Sequence, residues 1–138
     1  MAKTVLVVDD IAFVRKTLTE ILTEAHYHVV GEAADGIKAV ELYGQLRPDL
    51  VTMDIAMPRM SGIDATRRIM KADKDARIII ISAMGQESLV MEAINVGAKD
   101  YILKPFSSMD VLKTLERAFP DESQIMSRNS QRETVKTG

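Results

Sequence analysis

Five short apolar runs alternate with five segments of helical period along most of this chain, and that alternation restricts the fold severely. The runs are residues 4–8 (TVLVV), 28–33 (HVVGEA), 50–53 (LVTM), 77–81 (RIIII) and 101–103 (YIL). Several are rich in Val and Ile, as strands buried on both faces tend to be. Between the first two, Val14, Leu18, Ile21, Leu22 and Ala25 fall at i, i+4, i+7, i+8 and i+11, the stripe of an amphipathic helix. Leu89, Val90, Ala93 and Ile94 repeat that period before Gly97, which suits the position just past a helix end. Val111, Leu112, Leu115, Ala118 and Phe119 repeat it again, while 37–46 and 62–72 supply two more helices, the second with the weaker period. A strand followed each time by a helix gives a parallel sheet with helices on both faces, hence an α/β fold. The doubly wound, flavodoxin-like order 2-1-3-4-5 with five helices is expected by analogy with other sheets of this kind. In such a sheet a site lies beyond the carboxyl ends of the strands, at the switch point between strands 1 and 3.

Composition narrows the function classes. The 138 residues suffice for one domain with a proper core. A net charge of −2 provides no general basic field to hold nucleic acid or an anionic membrane. The absence of cysteine excludes disulfides, thiolate catalysis and Cys-based zinc sites, and suits a reducing cytoplasm. No apolar run approaches the roughly 20 residues of a membrane span. MAKTVLVVDD enters a strand directly, without a signal peptide's apolar core and cleavage site. A soluble, cytoplasmic domain over residues 1–119 is expected. Residues 120–138 (PDESQIMSRNSQRETVKTG) are polar with balanced charges, and are expected to form a tail without a domain of its own.

The predicted strand ends bring a particular set of residues to one rim. Strand 1 ends in Asp9-Asp10, strand 3 in Asp54, strand 4 in Ser82-Ala83 and strand 5 in Lys104-Pro105. Each has an ordinary explanation alone: Asp10 as a helix cap, Ser82 as a turn hydroxyl, Lys104 as an exposed charge beside a turn proline. Together they are harder to dismiss. Three converging carboxylates repel and desolvate one another, which a hard divalent cation with oxygen ligands, Mg²⁺ by preference, relieves. A carboxylate beside such an ion can attack phosphorus and become an aspartyl phosphate. The transferred group spreads its charge over three oxygens, which the ion, Lys104, and the Ser82 hydroxyl with nearby backbone amides can each engage. Ala83 leaves the approach open.

The segments VLVVDD, TMDIAMPRMSGIDA, IISAMGQ and GAKDYILKPF together resemble the receiver domain of bacterial response regulators over about residues 3–119. Within that family, SAMGQ and MEAINVGAKDYILKPF are most similar to the single-domain chemotaxis regulators. The resemblance implies a two-component signalling protein, phosphorylated on Asp54 by a partner histidine kinase. It implies that Asp10 and Asp54 bind Mg²⁺ directly, with the Ala56 carbonyl as a further ligand and Asp9 acting through water. Lys104 would pair with the phosphoryl group, with the Lys104–Pro105 bond cis, while Ser82 would move toward the phosphate and Tyr101 rotate inward with it. The output partner would be a flagellar motor switch component or another signalling protein.

Three rival functions are compatible with parts of this pattern. A phosphorelay intermediate passing the group to a histidine phosphotransferase would use the same residues. An aspartyl-nucleophile phosphatase of the haloacid-dehalogenase type needs a second Asp two residues after the nucleophile, where this chain has Ala56. Against a receiver cut from a DNA-binding regulator, this sequence shows no helix-turn-helix pattern after Phe119. The chain is thus expected to be no enzyme toward external substrates. Ala56 and Met84, two residues past Asp54 and Ser82, have side chains that cannot orient an attacking water, which predicts slow loss of phosphate and a separate phosphatase. His26 and His28 are read as surface residues, and Arg15-Lys16 and Arg67-Arg68 as solvated helix faces. Gly31, Gly36, Gly44 and Gly85 are read as turn or helix-end residues.

Overall fold

In the computed structural model, which describes residues 2–119, every predicted run forms a strand and every predicted period a helix. The elements are β1 (Thr4–Val8), α1 (Ala12–Glu24), β2 (His28–Ala33), α2 (Gly36–Leu46), β3 (Leu50–Asp54), α3 (Gly62–Ala72), β4 (Ile78–Ser82), α4 (Glu87–Asn95), β5 (Asp100–Leu103) and α5 (Ser108–Ala118). The strands are all parallel in the order β2-β1-β3-β4-β5. Strands β3 and β4 each extend one residue past the apolar run, because the ladder outlasts it. Asp54 pairs with Ile81 and Ser82 with Leu103, so the polar residues belong to the strands themselves.

Alternation along the strands feeds two cores. Leu6, Val8, Val51, Met53, Ile78 and Ile80 face α2, α3 and α4. Val5, Val7, Leu50, Ile79 and Ile81 face Leu18 and Leu22 of α1 and Val111 and Leu115 of α5. Both β3 and β4 are buried from end to end. The weaker period expected of 62–72 does not hold: α3 is the most sharply two-faced of the five helices, its buried face of Gly62, Ile63, Ala65, Thr66 and Ile69 opposed by charged residues on the other side.

Helix starts divide into two kinds. Asp35, Ser61 and Ser107 each accept a backbone N–H and cap α2, α3 and α5, and Ser107 forms a reciprocal capping box with Asp110. Neither α1 nor α4 has a side-chain cap. These are the helices that follow β1 and β4. Gly31 lies inside β2 and Gly44 inside α2, not in turns, whereas Gly85 takes the left-handed conformation (φ 88°) in the turn before α4. Among the described residues no helix is long and apolar enough to cross a membrane. The expected tail, 120–138, lies outside the described residues.

Candidate functional site

Register alone makes the acidic corner. Val8 of β1 pairs with Met53 of β3, so the next residues, Asp9 and Asp54, stand level at the ends of adjacent strands. Asp9 is fully buried and held on every side. Its N–H donates to the Ala33 carbonyl (3.0 Å), its Oδ1 accepts the Ile11 N–H (2.9 Å) and its Oδ2 accepts Lys104 Nζ (2.9 Å). Asp10, by contrast, is exposed and caps nothing, since α1 starts without a side-chain cap. The capping explanation for Asp10 therefore fails, and Asp9 holds the turn instead.

Lys104 reaches this corner from β5. Its N–H donates to the Ser82 carbonyl (2.7 Å), and its ammonium lies 2.9 Å from Asp9 and 3.4 Å from Asp54 Oδ1. The bond to Pro105 is cis. Burial, then the charge of Asp9, push the Asp54 carboxyl up to about 6, with Lys104 working in the opposite direction. For Lys104, burial works to lower the pKa, but its bond to Asp9 and the charge of Asp54 outweigh it and the net shift is upward. The lysine thus stays an ammonium and the carboxylates still repel.

Asp9, Asp10 and Asp54 each bring a carboxylate oxygen within 4.8 Å of the others. An all-oxygen donor set with one open member fits a hard divalent cation, which would offset both the burial and the Asp9 repulsion that raise Asp54. Ser82, 1% exposed, ends β4 beside this corner. Ala56 and Met84 are both exposed in the loops after β3 and β4, Met84 at 76%. Tyr101 is 49% exposed on β5, and a cavity of about 250 Å³ lies between it, Ser82, Val90, Met91 and Leu103.

Two contributors escape a reading of the sequence. Arg15 is no solvated helix face: its side chain is 19% exposed, with Nη1 donating to the Asp9 carbonyl (2.7 Å) and Nε to Glu32 Oε1 (3.0 Å). No local signal marks it, because its partners come from the end of β1 and from β2. The other is Gln86, whose Oε1 accepts the Ala83 N–H at 2.7 Å. Arg67 does fit the solvated description, with exposed pairs to Asp64 and Glu92. His26 and His28 are both exposed, as expected of surface residues, and neither joins the site.

Comparison with known proteins matches this picture. The family model for the response regulator receiver domain matches residues 5–116. The chemotaxis protein CheY of Thermotoga maritima is 56% identical over 117 residues, 85% of this chain and 98% of that protein. CheY of Bacillus subtilis is 50% identical over 117 residues, with the same shares. Among solved structures, a chain of the CheX–CheY–BeF3–Mg²⁺ complex from Borrelia burgdorferi superposes with a TM-score of 0.83 at 42% identity, covering 86% of this chain and 90% of that one. With the sheet order, the acidic corner and these relatives in agreement, the chain belongs to the response regulator receiver domain family, in its CheY-type chemotaxis branch.

Proposed function

We propose that this chain is a cytoplasmic response regulator that accepts a phosphoryl group from a histidine kinase on Asp54. Residues 1–119 serve as the receiver, and the phosphorylated form changes its affinity for an output protein such as a flagellar motor switch component. The observation that carries this reading is the single ammonium of Lys104 set between buried Asp9 and Asp54, with Asp10 left open beside them. Mg²⁺ is the ion we assign to Asp10, Asp54 and the Ala56 carbonyl, with Asp9 acting through water; when bound it neutralises charge on the transferring oxygens.

The chain's own residues do the rest. A carboxylate oxygen of Asp54 forms a bond to phosphorus as the bond from phosphorus to the donor's histidine nitrogen breaks, and that nitrogen keeps the electron pair. Lys104, already an ammonium, follows the charge from the carboxylate to a phosphoryl oxygen without needing to gain a proton. The Ser82 hydroxyl and the amide of Ala83 hold another oxygen. As Ser82 turns toward it, Tyr101 moves into the cavity beside Val90 and Met91, altering the surface of α4, β5 and α5. Catalysis is thus confined to the chain's own phosphorylation and dephosphorylation.

The test compares proteins captured by wild type and Asp54→Asn, each with Mg²⁺ and a small phosphodonor. Flagellar switch proteins retained by wild type alone support the reading, while equal capture by both defeats phosphorylation control at Asp54. Capture of a phosphotransferase instead would favour a relay.

The lifetime of the phosphoryl group gives a second expected result. Ala56 and Met84 flank the site with side chains that offer no hydrogen bond to water. Phosphate release from the purified phosphoprotein, measured without partners, is expected to take minutes or longer. Loss within seconds would overturn this, and with it the need for a separate phosphatase.

A further inference from the structure

The loop between β4 and α4 is tied to itself by the first residues of α4. Gln86 is the residue at the N-terminal boundary of that helix, yet its side chain caps none of the helix's own amides. It turns back three residues and accepts the Ala83 N–H at 2.7 Å, while Glu87 Oε1 lies 3.4 Å from the Gly85 nitrogen. Gly85 permits the turn, with φ of 88° and open space around it. Ala83 is also the first residue beyond Ser82, and Asp54 stands across from Ile81 in the β3–β4 ladder. The amide that Gln86 occupies is therefore the first backbone donor past the strand end beside the phosphoacceptor.

We propose that Gln86 is a competitive latch: its carboxamide oxygen occupies the Ala83 amide in the resting protein and must leave before that amide can hold a phosphoryl oxygen. The proposal rests on Asp54 being the phosphoacceptor and concerns what opposes it. A backbone N–H directed at one acceptor cannot serve a second with good geometry. The incoming group therefore replaces an existing bond instead of filling a vacancy, and its apparent affinity is lowered by the stability of that bond. Because Gln86 opens α4, its displacement also frees the first turn of the helix that lines the cavity beside Tyr101. Gln86 thus acts as a positioning residue, linking occupancy of the site to the start of α4.

Two substitutions separate a latch from a residue that merely closes a turn. Gln86→Met keeps the length of the side chain without a strong acceptor, and Gln86→Ala removes it. Beryllofluoride, titrated calorimetrically at saturating Mg²⁺, serves as the phosphoryl probe, and Mg²⁺ alone is titrated separately. Both variants are expected to bind beryllofluoride about three- to tenfold more tightly, as loss of one competing hydrogen bond allows. Their Mg²⁺ affinity is expected to stay within about twofold of wild type, and the Ala83 amide proton to shift in the free variants by NMR. Beryllofluoride affinity in both variants equal to or below that of wild type would overturn the latch. If wild type binds no beryllofluoride, the phosphoacceptor reading falls and the latch falls with it; if all three proteins bind it equally, only the latch falls.

Discussion

In the presence of chelator at neutral pH, Asp54→Asn is expected to unfold at a higher temperature than wild type, although it takes up no phosphoryl group from any donor. Asn has nearly the shape of a protonated carboxyl and cannot carry the charge that burial and Asp9 oppose. The difference between about 6 in the folded protein and the ordinary 3.8 corresponds to about 3 kcal/mol at roughly 1.4 kcal/mol per pH unit, and this bounds the gain. For a domain of this size that is a rise of several degrees, on the order of 10 °C at most.

The pH dependence carries the same signature. A carboxyl whose pKa is raised on folding binds more protons folded than unfolded, so its ionisation costs stability as pH rises from about 4 through about 6. Asp35, Asp49, Asp73 and Asp110 have the opposite sign. The backbone amide of Lys38 lowers Asp35, that of Thr4 lowers Asp49, the Tyr43 hydroxyl lowers Asp73 and the Ser107 amide lowers Asp110. Their contributions are present above about pH 4 and are lost as pH falls below it. Metal-free wild type is therefore expected to be most stable between about pH 4 and 6, whereas Asp54→Asn lacks the decline on the alkaline side. Thermal melts across pH 4 to 8 measure this directly. Superimposable profiles for the two proteins would contradict the assignment of strain to Asp54. Added Mg²⁺ is expected to stabilise wild type at neutral pH and Asp54→Asn much less.

Gly62→Ala is the most damaging single methyl that the structure identifies near the site. A β-carbon there would fall 1.9 Å from the carbonyl oxygen of Asp54 and 2.8 Å from its carbonyl carbon. Neither is the end of a flexible side chain, and Gly62 is fixed by its own N–H bond to the Ile55 carbonyl (2.8 Å). Either α3 shifts or Asp54 does. Overpacking of this kind costs about 3 kcal/mol or more. In urea titrations Gly62→Ala is expected to lose at least that much, and folded protein that remains is expected to bind Mg²⁺ more weakly. Gly44→Ala provides the control: it sits within α2 with nothing within 4 Å of its β-carbon, and is expected to gain about 0.5–1 kcal/mol from helix propensity. Equal effects at the two positions would mean that the close approach at Gly62 is not felt.

These two glycines show where sequence stops being informative. Both are single letters inside helix-forming segments, and only the packing of α3 on the end of β3 tells them apart. The strands were legible because most carry a run of Val, Ile or Leu, and the rim was legible because a parallel sheet carries every strand end to one edge. Asp9, Asp10, Asp54, Ser82 and Lys104 needed no contact information to be grouped. Arg15 and Gln86 did. Arg15 belongs to the site through a carbonyl and a glutamate from other elements, and Gln86 through an amide three residues back. Neither relation has a periodicity to reveal it. The two-faced character of α3 is underrated in the sequence for a related reason, since Gly, Ala and Thr can form an inner face without looking apolar.

The end-to-end burial of β3 and β4 has a consequence for how resistance to opening is distributed in this molecule. Backbone amides in such strands exchange with solvent deuterium only when the whole domain unfolds, while those of exposed loops exchange through small local excursions. Asp54 and Ser82 are the last residues of the slow class, and Ala83, Met84 and Gly85, all exposed, begin the fast one. Asp54 therefore stands on the border between the most and least durable parts of the chain. A modification there can reshape the loop beside it at little energetic cost while the sheet that positions it stays intact.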